Sequence, residues 1–524
     1  MTVEVVLAMR RSYTRGSYGG VIAPPVPRND HVFSRVSSTM TIGLRFLPRL
    51  LVVLAAGMVP ILASQLSAQS LTASDSALVG RILMAEERRD TTDVALAEGI
   101  RHSDARVQLT ARRARSRIAD PKFVVRDSFS AQESPVTWPE PAWRLRYRAL
   151  AQQRTDCGAL RMALSDSAWP VRLHSADLVP SSCAGDQAMA KVLRRWVDAL
   201  PAEAARRTNG SVSWHAAAHA IVALARLRPD EERSRLARLS RHRQWQVRMY
   251  AARAAAVLSD APSLRVLARD PNDNVKEAAI NALSKLTVHR DDPLYLATLG
   301  ATGAQAVRAA AVALTGSPSA SVGEAASRAF ERWVQRANAS ARDTRLALLA
   351  AAGRPMTDDR APPAQHDLPA EAVALALGAD VRLRVVMEPA SGGGAFVVRL
   401  RGDVAPVMAA RILALVRRGY YNGMDWHRVE PDFVIQGGSP GSNEYVGYER
   451  FLRDELGTVP HMRGTVGMST RGHDTGDAQW FVNLRDNLRL GSDYTVFADV
   501  ISGIETVDGI LEGDVVARIE SAVP

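Results

Sequence analysis

A short phrase that repeats through the middle of the chain limits the fold more than any other feature of the sequence. Val171, Val247, Val275 and Val307 are each followed directly by Arg or Lys and then, within five positions, by Ala. The last three occurrences lie about 30 residues apart, a spacing typical of stacked units of two short helices. The Val and Ala residues share one helix face, because they recur at i, i+3 and i+4. Residues 75–355, rich in Ala, Leu and Arg, are accordingly predicted to form an all-α solenoid.

The repeated stretch resembles HEAT-type helical repeats of a short variety. That resemblance implies a long concave surface suited to a protein partner, and it leaves a generic array of Ala-rich helices open as the alternative. It says little about activity. Pro and polar residues crowd residues 356–380, as expected of a linker between two domains.

A basic segment followed by a short apolar run precedes the helical region. Residues 50–62 carry no charge, and small residues that end in Ala68 follow them. This order is typical of a secretory signal peptide over residues 40–68, because the apolar run is shorter than the ~20 residues that span a bilayer. Residues 1–39 are then a disordered or misassigned N-terminal extension. We expect an exported protein, periplasmic or secreted, with no membrane span after cleavage. The alternative is an uncleaved signal anchor that tethers the protein to the membrane.

The net charge of +11 does not by itself indicate a nucleic-acid partner. Only four of the 66 basic residues are Lys, a bias typical of GC-rich coding sequence, and no nucleic-acid recognition motif accompanies the charge. The two cysteines, Cys157 and Cys183, exclude a disulfide-rich scaffold and a four-cysteine zinc site. In an exported protein they either form one disulfide or remain two buried thiols.

The pattern changes near Val381 from helical to alternating. Residues 381–387 and 396–400 alternate apolar and polar side chains and predict two strands joined by a glycine-rich turn. Residues 405–416 then predict an apolar helix, which ends in basic residues and Gly419. A second domain is therefore predicted over residues 381–524.

The sequence after this helix resembles the signature of the cyclophilin family. Residues 426–438 read Trp-His-Arg-Val-Glu-Pro-Asp-Phe-Val-Ile-Gln-Gly-Gly, against the family pattern Phe-His-Arg-Val-x-x-x-Phe-x-x-Gln-Gly-Gly. Several ordered motifs over residues 381–522 make the resemblance specific. The later motifs, in family order, are Arg453-Asp454-Glu455, Gly464 to Ser469, Gln479 to Val482, Leu490 to Phe497 and Val500 to Asp508.

The resemblance implies a closed eight-stranded β-barrel capped by two helices, and a peptidyl-prolyl cis-trans isomerase (rotamase) activity that assists protein folding. The partners are then proline-containing polypeptides. Rotation about an X–Pro bond faces a barrier of about 18–20 kcal/mol that amide resonance sets. No proton moves and no covalent bond breaks, so neither a cofactor nor a metal is required. The alternative is a non-catalytic scaffold that captures proline peptides.

Arg428 has the chemistry that this reaction needs. A fixed donor aimed at the pyramidal proline nitrogen stabilises the twisted amide, and a guanidinium stays charged and presents its N–H groups in a rigid fork. Arg428 and Phe433 face opposite sides of a continuous strand, so residues 430–432 must turn for the two side chains to meet.

The resemblance assigns roles to further residues. Phe433 forms the floor of the proline pocket, and Gln436 bonds the substrate backbone and orients Arg428. The remaining substrate contacts are Val434, Phe481, Leu490 and Tyr494 in the pocket walls, and Ser469, Thr470 and Gln479 in the groove for residues that precede proline.

These residues have plainer interpretations when they are taken singly. The apolar candidates also suit the core of a barrel, and Arg428 also suits a surface salt bridge. Arg489 puts binding of cyclosporin-type inhibitors in doubt. Departures from the family pattern include Trp426 and Trp480 in place of Phe, Ser439 in place of Asp, Tyr494 in place of His, Ser469-Thr470 in place of Ala-Asn and Arg489 in place of Trp.

Overall fold

The structure is a computed structural model that describes residues 71–119, 136–200, 214–336, 341–357, 368, 370–448 and 450–522. The predicted signal peptide (40–68) and N-terminal extension (1–39) lie outside these residues. None of the described helices combines the length and the apolar character needed to cross a bilayer. The described residues from 71 onward form one compact unit that holds both the helices and the sheet.

Most of the described chain before residue 377 is helical, as the periodicity predicted. The helices are α1 Ala73–Arg88, α2 Val94–Ile100, α3 Ala105–Ala119, α4 Ala142–Gln152, α5 Cys157–Ala163, α6 Trp169–Leu178, α7 Gln187–Asp198, α8 Trp214–Leu227, α9 Pro229–Leu239, α10 Trp245–Val257, α11 Ala261–Leu267, α12 Asp273–Thr287, α13 Asp292–Thr298, α14 Ala304–Leu314, α15 Ser321–Val334, α16 Arg342–Ala351 and α17 Ala370–Ala376.

Alternate helices of this region pack in series. Helices α8, α10, α12, α14 and α16 each contact the next in the row, and α9, α11, α13 and α15 each lie against a member of that row. The repeated Val247, Val275 and Val307 are fully buried in α10, α12 and α14. The row is therefore held together by the apolar face that the repeated phrase supplies. A disulfide joins Cys157 to Cys183, whose Cα atoms are 5.6 Å apart.

Helices α1–α3 share the hydrophobic core of the sheet and not that of this row. Ile82 and Val107 belong to the same cluster of buried side chains as Val385 and Val398 of the strands. Helix α17 lies within the predicted linker and packs against α1 and against the helix Pro406–Arg417. The hydrophobic core around the sheet thus extends into residues 73–119, whose apolar period does not reveal which surface it will cover.

The C-terminal residues form one eight-stranded sheet with antiparallel neighbours in the order β3-β4-β6-β5-β7-β2-β1-β8. Helix α18 packs against β7 and β8, and α19 packs against β2. The elements are β1 Arg382–Met387, β2 Ala395–Leu400, α18 Pro406–Arg417, β3 Arg428–Val429, β4 Val434–Gly437, β5 Thr465–Met468, β6 Trp480–Asn483, β7 Val496–Ser502, α19 Ile504–Gly509 and β8 Val516–Ala522.

The prediction of a closed barrel is wrong, because the sheet is open between β3 and β8. Strand β3 contains two residues, and both pair with β4 and not with β8. Residues that precede the two strands meet across the gap instead. The Trp426 N–H donates to the Asp514 carbonyl at 2.9 Å, and the Gly513 N–H donates to the Trp426 carbonyl at 2.9 Å.

Candidate functional site

Arg428 and Gln436 are direct partners across the β3–β4 hairpin. Residues 430–432 make the turn, which is closed by a hydrogen bond of 2.8 Å from the Phe433 N–H to the Glu430 carbonyl. This turn brings the guanidinium carbon of Arg428 to 5.9 Å from the centre of the Phe433 ring. The hairpin therefore gathers the three predicted catalytic residues in one place.

A row of polar side chains holds Arg428 from the side of the sheet. Arg428 Nη1 donates to Gln436 Oε1 at 3.5 Å. Gln436 Nε2 donates to Ser469 Oγ at 2.8 Å and to Gln479 Oε1 at 3.1 Å. Gln479 Nε2 donates in turn to the Val446 carbonyl at 3.0 Å. Gln436 and Gln479 are buried, so these hydrogen bonds hold both side-chain amides in one orientation. The Gln436 amide in turn holds the Arg428 guanidinium on the same side of the hairpin.

Glu444 contacts the same guanidinium through a different nitrogen. Its Oε1 lies 3.3 Å from Arg428 Nε, and the two side chains are 46% and 34% exposed. Arg428 thus takes part in a salt bridge, as the plainer interpretation proposed, and also in the hydrogen bond to Gln436. Within the described residues, Nη2 of Arg428 has no hydrogen-bond partner, so this N–H group remains available to a ligand.

An apolar cluster lies beside Arg428. Phe481 packs edge to face on Tyr494, with ring centres 5.6 Å apart. The cluster is buried at its base and open at its rim, where Phe433 and Tyr494 are half-buried. Its members are the five predicted pocket residues Phe433, Val434, Phe481, Leu490 and Tyr494.

Ser469 and Thr470 follow directly after β5 and are both half-buried. The Ser469 N–H donates to the Gln479 carbonyl at 2.9 Å, which joins Ser469 to the polar row. Within the described part of the chain, no side-chain hydrogen bond or ion pair joins Thr470 to the other predicted site residues. The structure therefore brings nine of the ten predicted residues into one network and leaves Thr470 next to it.

The charge at the site belongs to Arg428 and not to the neighbouring histidines. Burial, together with the adjacent charge of Arg428, lowers the pKa of His427 to about 3. Burial also lowers the pKa of His461, whose ring stacks on Phe481 at 5.7 Å. Both imidazoles are consequently neutral near pH 7, whereas a guanidinium keeps its charge.

Helix α4 supports the turn from outside the sheet, which the sequence did not predict. Arg144 is fully buried and donates to the Pro431 carbonyl at 2.8 Å and to the Leu484 carbonyl at 2.7 Å. Arg148 pairs with Asp432 at 2.9 Å. No local sequence pattern links Arg144 to Pro431, which are 287 residues apart. Glu444 was likewise not identified from the sequence as a partner of Arg428, because no local pattern links these two residues.

The arrangement can bind and polarise a peptide without further groups. It combines a charged donor, a small apolar pocket and side-chain amides suited to a peptide backbone. Among the described residues, no group of three or more His, Cys, Asp or Glu side chains is arranged to hold a metal ion.

Comparisons with known proteins concern the C-terminal domain. Residues 384–523 match the family model described as cyclophilin type peptidyl-prolyl cis-trans isomerase/CLD. A peptidyl-prolyl cis-trans isomerase of Helicobacter pylori is 34% identical over 119 residues, which are 22% of this chain and 74% of that protein. A probable peptidyl-prolyl cis-trans isomerase of Brucella suis is 35% identical over 155 residues, 27% of this chain and 78% of that protein.

Two further proteins are similar over the same domain. Peptidyl-prolyl cis-trans isomerase B of Bacillus subtilis is 34% identical over 119 residues, 22% of this chain and 83% of that protein. The crystal structure of a Cryptosporidium parvum cyclophilin type peptidyl-prolyl cis-trans isomerase aligns over 28% of this chain and 99% of its own, with 22% identity and a TM-score of 0.26.

Proposed function

We propose that this chain, which belongs to the cyclophilin-type peptidyl-prolyl cis-trans isomerase family, catalyses rotation about X–Pro bonds at Arg428 and so assists the folding of other proteins. One observation carries the proposal. The Arg428 guanidinium is hydrogen-bonded to Gln436 and lies 5.9 Å from Phe433, at the rim of an apolar pocket. A charged donor and a site for a proline ring are the two parts that the reaction needs.

The pocket and the guanidinium act on different parts of the substrate. The proline ring packs among Phe433, Phe481 and Tyr494, which holds one side of the bond. As the bond twists, amide resonance is lost and the nitrogen lone pair becomes an acceptor. An N–H group of Arg428 then stabilises the twisted state more than the planar one, which lowers the barrier. A single donor of this kind contributes about 100- to 1000-fold in rate.

The chain on the amino side of the proline lies along the polar row. Ser469 is half-buried and presents its hydroxyl to the substrate backbone, the buried Gln479 holds Gln436 in place, and Thr470 lies next to them. Side-chain amides and hydroxyls both donate and accept, so they suit a peptide in either isomer.

The helical region is proposed to be a HEAT-type protein-binding module. Its support is the repeated phrase, whose valines are buried along one row of helices. Export to the periplasm or beyond the cell is proposed from the signal-like segment 40–68. The disulfide between Cys157 and Cys183 favours the same oxidising compartment.

One observation favours the alternative of a non-catalytic scaffold, namely the ion pair between Arg428 and Glu444. This carboxylate competes with the proline nitrogen for the guanidinium. The test is NMR exchange spectroscopy on a four-residue Ala-Pro peptide with the full chain added at catalytic amounts. Cis-trans exchange that quickens in proportion to protein concentration supports the isomerase. Peptide binding with unchanged exchange supports the scaffold.

A further inference from the structure

A cleft lies between the candidate site and the helical row. It encloses about 750 Å³. One wall consists of side chains from α10, α12 and α14, and the other consists of Arg428, the loop residues 442–445 and Glu512. Arg428 and Glu444 therefore belong both to the candidate site and to the cleft.

The helices hold the loop wall of this cleft in place. Asn274 Nδ2 of α12 donates to the Gly441 carbonyl at 3.1 Å. The Arg308 guanidinium of α14 lies 3.8 Å from the centre of the Tyr445 ring, a favourable cation–π distance. The loop between these two contacts carries Glu444. The cleft is consequently formed before any ligand arrives, and ligand binding need not order the loop.

The chemistry of the walls suits polypeptide more than any other class of ligand. Trp245 and Leu286 supply apolar area, and Asn281 supplies an amide that both donates and accepts. Lys285 on one wall lies opposite carboxylates on the other, so the cleft carries both signs of charge. The cations Arg253, Lys285 and Arg428 are matched by the carboxylates of Glu277, Glu444 and Glu512, so the cleft lacks the excess of positive charge that binds a nucleic acid. A volume within the range of ligand pockets leaves room for a short stretch of extended chain.

We propose that this cleft binds the stretch of client polypeptide that adjoins the isomerised proline. The inference rests on the proposed function, because it takes Arg428 as the point at which the proline is held. A peptide that enters the pocket beside Phe433 passes Arg428 and Glu444 and continues between the loop and α12. The helical row thereby adds a second binding site to the first and favours long unfolded clients over short peptides.

Two neighbouring positions on α10 allow a matched test. Ala256 is exposed and lines the cleft, whereas Val257 is 39% exposed and does not line it. Ala256→Trp obstructs the cleft, and Val257→Trp places the same side chain outside it. Thermal unfolding midpoints show whether either variant is misfolded. Lys285→Trp on α12, an exposed position on the same helical wall of the cleft, serves as a second obstructing variant.

The substrates are a four-residue Ala-Pro peptide and a 20-residue peptide of mixed composition with the same centre. We expect wild type to show a lower KM for the longer peptide, and Ala256→Trp to raise that KM about tenfold with kcat unchanged, since 1.4 kcal/mol of binding is tenfold. The short peptide should be turned over equally by wild type and both α10 variants. Equal KM values for the two peptides in wild type would overturn the proposal, as would an Ala256→Trp effect shared by Val257→Trp or by the short peptide.

Failure of the proposed function has a different signature. If wild type isomerises neither peptide, fluorescence anisotropy of the labelled 20-residue peptide still tests the cleft. Binding that Ala256→Trp weakens about tenfold and Val257→Trp leaves unchanged supports the cleft. Binding that no cleft variant changes overturns it.

Discussion

The guanidinium of Arg144 donates from Nε to the backbone carbonyl of Pro431 at 2.8 Å, across 287 residues of sequence. Pro431 lies in the turn that separates Arg428 from Phe433. The same guanidinium reaches Leu484 and Asp508, and Arg148 one helical turn later pairs with Asp432. The helical region therefore fixes the backbone on which the candidate site is built, in addition to any role in holding clients.

Arg144→Met should destabilise the protein and slow the isomerase. The variant leaves the Pro431 carbonyl without a donor, whereas Arg463 still donates to the Leu484 carbonyl and to Asp508. Leaving such an acceptor unsatisfied costs about 1–3 kcal/mol. Loss of the support beneath Pro431 should displace Phe433 relative to Arg428 and lower kcat for the four-residue peptide. Urea unfolding and NMR exchange measure the two effects.

Arg146→Met is the matched control for this variant. Arg146 lies on the same helix and pairs with Asp166, but its side chain is 45% exposed. Its loss should cost less than about 1 kcal/mol, as for exposed ion pairs in general. Equal unfolding midpoints for the two variants would contradict the role assigned to Arg144.

Asp425 should make stability fall as the pH rises from about 4 to about 6. Burial raises the pKa of this carboxyl to about 6 from an ordinary value of 3.8, although a hydrogen bond from Ser442 opposes the shift. Between those values the folded chain keeps a proton that the unfolded chain loses, so raising the pH favours unfolding. Asp425→Asn removes this effect and should stabilise the protein by about 2 kcal/mol at pH 7.

The measurement is the thermal unfolding midpoint of wild type and Asp425→Asn at several pH values between 4 and 7. The difference between them should grow with pH. Glu324→Gln, at a side chain that is 76% exposed, should follow wild type throughout. Parallel curves for wild type and Asp425→Asn would show that the carboxyl titrates normally.

Reduction of the disulfide should destabilise the helical region and spare the catalytic rate. Closing the loop between Cys157 and Cys183 restricts the unfolded chain, and such a crosslink contributes about 2–4 kcal/mol. The unfolding midpoint of wild type should drop on addition of reductant, while exchange of the four-residue peptide at 25 °C stays the same. The double variant Cys157→Ser/Cys183→Ser removes the only two cysteines of the sequence. Its unfolding midpoint should be lower than that of wild type without reductant and should not change when reductant is added. An unchanged wild-type midpoint would argue against the crosslink.

The helices and strands that are determined by residues adjacent in the sequence could be predicted. Alternation over residues 381–387 and 396–400 predicted strands that the structure has as β1 and β2, and the apolar period of 405–416 predicted α18. The spacing of Arg428 and Phe433 likewise required a turn at residues 430–432 for the two side chains to meet. Each of these patterns depends on residues close together in the chain, where the geometry of a helix or strand determines which way each side chain points.

The parts that depend on distant residues could not be predicted. The contact from Arg144 to Pro431 has no local signature, because Arg144 reads as one of many arginines on an amphipathic helix. Helices α1–α3 have the same period as the helices of the row, so the sequence did not show that they join the core of the sheet. Helix α17 is seven residues long and lies among prolines, which favoured a linker. The open edge at β3 follows from tertiary packing and not from its composition.

The comparison of Arg428→Ala with Arg489→Ala tests the central claim most directly. Both guanidinium groups lie over the Phe433 ring, Arg428 at 5.9 Å and Arg489 at 5.0 Å, but Arg428 alone is bonded to Gln436 in the described structure. NMR exchange of the four-residue Ala-Pro peptide is measured for both variants, with circular dichroism as the check on folding. We predict that Arg428→Ala lowers kcat/KM at least about tenfold with an unchanged fold, and that Arg489→Ala stays within about twofold of wild type. A folded Arg428→Ala variant that isomerises the peptide as fast as wild type would contradict the assignment of this guanidinium as the catalytic donor.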